Sequence, residues 1–304
     1  MHAFLSLVMR VRSLAIIMAT LPLMLPPLGF ISGGIMGLTT LRNGFAEGTL
    51  VTSAAILLAG IAMRFFMGTP DSVIVFTILT GLPVLLLAAT LRRTRSLATT
   101  ITVAGLCAAA GVVALHAAIE DPLLWWRNWL YAILITPEQT SIIDAQNTEN
   151  LERLVDALAP MMMTALPAGI MFGTILVLFL ARWWHAILDN PGGFRNEFHG
   201  LRFDPRLAIT AIIIGGIAMI MGRTSGIGNG FLQILVILYL FQGLAVSHGI
   251  VAMRGVSGNW LVALYLLLIL IPNITTSLLA ITGLMDAFFD FRARATNKQG
   301  ARKP

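Results

Sequence analysis

Five stretches of this chain run for about 20 residues almost without charge: Thr49 to Met67, Ser72 to Leu91, Leu97 to Ile119, Pro160 to Ala181 and Gly230 to Met253. At 1.5 Å per residue, a helix of that length matches the roughly 30 Å hydrocarbon core of a bilayer. Lipid offers no hydrogen bonds to a peptide group, and a helix satisfies its own backbone, so these runs read as membrane-spanning helices. The composition agrees: 57% of the 304 residues are hydrophobic and 11% charged, against about 25% charged in an average soluble domain. A soluble globular enzyme, a disordered chain and a nucleic-acid binder are excluded. The expected fold is all-α, a polytopic transmembrane helix bundle forming a single integral membrane domain over residues 1–304.

The net charge of +6 comes from 20 basic residues, all Arg except Lys298 and Lys303. In a membrane chain this excess belongs in cytoplasmic loops. Arg92, Arg93 and Arg95 mark one such loop, and Arg182, Arg195, Arg202 and Arg206 a second. Between them lies an acidic stretch, 120–159, with Glu120, Asp121, Glu138, Asp144, Glu149, Glu152 and Asp156 against Arg127 and Arg153, expected on the outer side. There Asp121-Pro122 opens an interfacial helix rich in Trp125, Trp126 and Trp129, and Thr136-Pro137-Glu138 starts another. From Thr148, a stripe of Leu151, Leu154, Val155 and Leu158 leads toward a helix beginning near Pro160. Placing Arg10, Arg12 and the basic tail 286–304 inside as well requires each end of the chain to cross twice or re-enter. Prolines at 22, 26 and 27 break residues 13–41, and Pro272-Asn273 breaks 260–289. The expectation is both termini cytoplasmic and about eight to ten membrane segments. No small-residue cleavage site follows the first apolar run, which is read as a retained helix.

No catalytic or metal motif is found. The five histidines are scattered, Cys107 has no partner, and Gly222 to Gly230 lacks the Lys of a phosphate loop. The expectations are therefore no enzyme, no cofactor and no metal. Polar side chains at membrane depth say more, because hydrocarbon penalises them. Gln233, Gln242 and His248 lie on one helix without sharing a single stripe, and Asn273 follows a proline break that frees carbonyls. Interhelical hydrogen bonding is the ordinary reading and a solute-facing cavity the functional one. Asp286, Asp290, Arg292 and Arg294 read as an exposed ion-pair collar. Small residues four apart, at Ala15/Ala19, Gly33/Gly37, Gly169/Gly173 and Gly226/Gly230, indicate close helix packing.

The segments Asn190-Pro191-Gly192-Gly193-Phe194-Arg195-Asn196-Glu197-Phe198, Tyr239-Leu240-Phe241-Gln242-Gly243-Leu244-Ala245-Val246-Ser247-His248 and Gly283-Leu284-Met285-Asp286, with Thr40-Leu41-Arg42-Asn43-Gly44, resemble the YybS-like family of bacterial integral membrane proteins. More distantly, the chain is similar to the substrate-binding S components of energy-coupling-factor transporters. That resemblance implies a bacterial cytoplasmic (inner) membrane, a small-molecule solute at Gln233, Gln242, His248 and Asn273, and a transmembrane coupling subunit with ATPases docked on Ala15 and Ala19. The alternative expectation is a scaffold that recruits cytoplasmic partners through the loop 189–206, with Arg195 and Glu197, and the basic tail. The bilayer is a partner in either case; nucleic acid is in neither.

Overall fold

The computed structural model describes residues 1–134, 145–221 and 226–294. The helix start expected at Thr136-Pro137-Glu138, the turn at 222–225 and the tail beyond 294 lie outside the described residues. Every element among the described residues is helical: α1 His2–Arg10, α2 Arg12–Leu23, α3 Gly29–Asn43, α4 Phe45–Met67, α5 Asp71–Thr94, α6 Leu97–Ala118, α7 Pro122–Leu134, α8 Ala145–Asp189, α9 Gly193–His199, α10 Pro205–Met221, α11 Gly226–Arg254, α12 Asn259–Leu270 and α13 Pro272–Phe289. Five of them, α4, α5, α6, α8 from Glu149, and α11, are long and apolar enough to cross a membrane. They carry the five apolar runs of the sequence. Their boundaries follow local chemistry. Gly68 ends α4 with a left-handed φ of 79°, and the Ser96 side chain accepts from Thr99 N at 3.2 Å to start α6.

The two ends of the chain are short helices. α1 and α2 meet at 114°, and α2 then folds back on α3 through the turn at Pro26–Leu28. Both ends of this α2–α3 hairpin return to one face. There Arg12 grips Glu47 in a two-pronged pair at 2.6 and 2.8 Å, and Arg42 pairs with Asp189 at 3.2 Å. Arg92, from the end of α5, donates to the carbonyls of Leu41 and Arg42. These residues define a basic face of the bundle.

Glycine decides how closely α3 can approach. A Cβ on Gly33 would lie 2.8 Å from Val177, and one on Gly37 2.8 Å from Ala181, both on α8. Gly33/Gly37 is therefore a true packing pair, whereas Gly169 and Gly173 face open space. Ala15 and Ala19 are 4% and 0% exposed under α3 and α4. That ridge is consumed within the chain, which corrects the expectation that it docks a separate subunit.

Proline leaves a second mark. Pro83 has no N–H for the Leu79 carbonyl, and α5 relaxes into a π turn over Thr77–Gly81. The buried Thr174 hydroxyl of α8 lies 3.4 Å from that carbonyl while donating to Ile170 at 2.8 Å. On the opposite side of the bundle from the basic face, Asp121 caps α7 through Leu124 N at 2.9 Å. Trp126 and Leu130 then bury against Val155 and Ala159 of α8. The stripe beginning at Leu151 is thus continuous with the long helix, which runs unbroken through Pro160 and Pro167.

The C-terminal third is built on α11 and α13. Close pairs rise together along the two helices, Gly243 with Gly283, Gln242 with Asp286 and Gly249 with Arg292, so they run parallel, with α12 as the return. At the crossing, a Cβ on Gly243 would fall on the Leu279 carbonyl and one on Gly283 on the Tyr239 carbonyl. Because the obstacle is backbone, no rotamer change relieves it. Gly283→Val is expected to destabilise by about 3 kcal/mol, read as a lowered Tm in mild detergent. Gly111→Ala, where a Cβ meets nothing within 4 Å, is expected to leave Tm unchanged.

Candidate functional site

The four polar residues expected to gather around a solute do not converge. Gln233 is exposed on α11, and Asn273 is exposed in the first turn of α13, its carbonyl accepting from Ser277 at 2.7 Å. The break at Pro272 is closed internally: the Thr275 hydroxyl donates to Leu267 O at 3.0 Å across it. A helix corner accounts for this segment.

Gln242 is fully buried and structural. Its Oε1 accepts from the Phe203 backbone N–H at 3.0 Å, and its Nε2 donates to Asp286 Oδ2 at 3.1 Å. Asp286, 0% exposed, also accepts from Phe291 N at 3.0 Å and from Arg292 at 2.7 Å. Arg292 continues to the carbonyls of His199 at 2.7 Å and Leu201 at 3.0 Å. Arg202 closes the set on Asp290 at 2.5 Å and the Ala287 carbonyl at 3.1 Å. The Asp290 carboxyl is held below its usual range, chiefly by the Ala293 N–H and then by Arg202 and Arg292. The expected exposed collar is therefore, at Asp286 and Arg292, a buried clasp joining α11, α13 and the 199–203 loop. The sequence signal that could have shown it is adjacency: Gln242 precedes Gly243, and Asp286 lies three residues after Gly283. A polar side chain beside a glycine at a helix crossing is pressed against its neighbour.

The clasp fixes α9, which roofs a groove. Arg182, 8% exposed, holds Glu197 through a two-pronged pair, with the Glu197 side chain still 34% exposed. Arg195, on the same short helix, is exposed and makes no ion pair among the described residues. Below it, α8, α9, α11 and α12 enclose about 780 Å³, lined by Phe179, Trp183, Phe194, Phe198, Arg195, His199, His248 and Tyr265, among others. Of the expected site residues, only His248 and Arg195 meet here. His248 Nδ1 sits 2.9 Å from the Leu244 carbonyl, so it carries the proton. Nε2 is then the acceptor for the Tyr265 hydroxyl at 3.3 Å. Ring centroids of Phe198 and His199 lie 5.6 and 6.2 Å from His248. Burial pushes the His199 imidazole below its ordinary pKa, and neighbouring Arg195 and His248 add to that. His199, Trp183 and Tyr265 escaped the sequence reading because they come from separate helices with no shared local pattern.

A second cavity of about 550 Å³, between α5, α6 and α8, is lined almost wholly by aliphatic side chains and Cys107. Among the described residues, no group of three His, Cys, Asp or Glu side chains could hold a metal ion. No protein-family model, curated protein or solved structure matches this chain.

Removing one member of a buried ion pair strands the other. Asp286→Ala is expected to cost about 3–5 kcal/mol and to broaden the size-exclusion peak. Gln242→Leu, which strands only the Phe203 N–H and one acceptor site on Asp286, is expected to cost about 1–3 kcal/mol. Thermal melts of both variants in one detergent check the order.

Proposed function

We propose that this is a multi-pass protein of the bacterial inner membrane that binds a small molecule in the groove beneath α9. The observation carrying the reading is the convergence of Arg195, His199, His248 and Tyr265 on one aromatic-walled space of about 780 Å³. Ligand sites are concave, mostly apolar, and carry a few placed polar groups; this groove has that make-up and the aliphatic cavity lacks the polar part. The clasp and the Arg182–Glu197 anchor supply the rigidity that a binding site needs. In this reading the short helices at both ends complete about eight to ten membrane segments. Both termini and the groove lie on the cytoplasmic side, and 120–159 lies outside.

The burial of Ala15 and Ala19 takes away the feature that favoured a coupling subunit with ATPases. For the scaffold alternative, Glu197 is already engaged by Arg182, while Arg195 and Arg206 stay exposed on the 189–206 loop.

Native mass spectrometry of the protein from its own host in mild detergent tests the reading. A retained small molecule is expected, and it is expected to be depleted in His248→Ala and unaffected in Gly111→Ala. A bare protein throughout, or a ligand indifferent to His248, would overturn the site. Orientation is checked in a Cys107→Ala background: Glu120→Cys is expected to react with an impermeant thiol reagent in intact cells, and Asn196→Cys only after permeabilisation.

A further inference from the structure

Resting on the groove being a binding site, we propose that its occupant is an anionic membrane lipid, with a phosphate headgroup at Arg195 and His199 and an acyl chain along Trp183, Leu180 and Ile187. Three observations carry this. The first is charge: no carboxylate lines the groove, and the nearest acid of its roof, Glu197, is neutralised by Arg182. Arg195 thus offers an uncompensated guanidinium at the mouth, with its N–H fork suited to phosphate.

The second is shape. α8 and α12 both pack on α11 and leave a side opening between them, with α9 as the roof. The walls at that opening belong to the outward apolar surface, since Trp183 is 44% and Tyr265 42% exposed and α12 buries no residue at all. A space between apolar helix faces admits a lipid chain, which a water-soluble anion does not have. The third is the division of the lining: Arg195 and His199 stand on the α9 roof, and Leu180, Trp183 and Ile187 run along α8. A headgroup at the roof and a chain along α8 match that division, and basic pockets between membrane helices take acidic headgroups in this way.

His199 adds a signature. The titratable or charged groups around it are Arg195 on its own helix, His248 from α11, Tyr265 from α12 and Arg292, which holds its carbonyl. A phosphate placed against this ring raises its pKa from the depressed free value. Proton uptake then accompanies binding, and affinity rises as pH falls through the range in which His199 titrates.

The purified protein is delipidated in detergent and titrated, by native mass spectrometry and thermal shift, with dioleoyl-phosphatidylglycerol, dioleoyl-phosphatidylcholine and glycerol 3-phosphate. The expected result is retention of phosphatidylglycerol over phosphatidylcholine, no protection by glycerol 3-phosphate, and about fivefold weaker binding in Arg195→Gln. His199→Ala is expected to flatten the pH dependence. Arg195 is exposed and unpaired, so its variant tests binding without threatening the fold. Equal binding of both lipids, or an unchanged Arg195→Gln, would overturn the lipid assignment. Protection by glycerol 3-phosphate would also overturn it while preserving the groove as a small-molecule site. Failure of every probe, joined to a bare protein from the native host, would remove both.

Discussion

The rest of the C-terminal half depends on one crossing, where α11 and α13 touch backbone to backbone at Gly243 and Gly283. In an apolar solvent, helices gain little by hiding apolar surface from each other. Close packing and buried hydrogen bonds hold them together. The missing side chains at the crossing bring Gln242 within reach of Asp286, and Asp286 in turn accepts Arg292. Arg292 and Gln242 then fix the carbonyls and amide of the 199–203 loop. A widening at the glycines would separate Gln242 from Asp286, release the loop, and take the roof off the groove.

The long helices were legible because hydropathy is local and five runs were long enough to need no context. Two short ends were also legible as breaks, from Pro22, Pro26, Pro27 and Pro272, since proline acts on its own backbone. Partner choice was not local. Gly33/Gly37 and Gly169/Gly173 have the same spacing, yet only the first pair meets a neighbouring helix. Ala15/Ala19 reads as a docking face until α3 and α4 are laid over it. Of the polar quartet proposed from sequence, Gln242 went to the clasp, Gln233 and Asn273 to the surface, and His248 to the groove. The helical wheel places a residue on a face of its own helix and is silent about what that face meets.

Where the helices depart from regularity, a side chain from elsewhere answers the exposed carbonyl. The Thr174 hydroxyl approaches Leu79 O after Pro83 removes its donor, and Thr275 bonds Leu267 across the corner at Pro272. Arg92 serves the open carbonyls at the end of α3. In each case the backbone group is satisfied by the protein itself, which is what a low-dielectric surrounding demands. Two of these repairs, from Thr174 and Arg92, join segments far apart in the chain, so those irregular points double as cross-links between helices.

The bonds from Arg292 to the carbonyls of His199 and Leu201 span more than 90 residues in sequence. A chain is made from its N-terminus, so α8 and α9 leave the ribosome long before their latch exists. During that interval the roof of the groove is held by Arg182 with Glu197 and by Phe194 and Phe198 against Phe179, and the clasp closes when α13 arrives. Biogenesis is therefore ordered here: the space beneath α9 reaches its final shape only after α13 is made, and a chain stopped before α13 keeps every long helix yet leaves that space without its fastening.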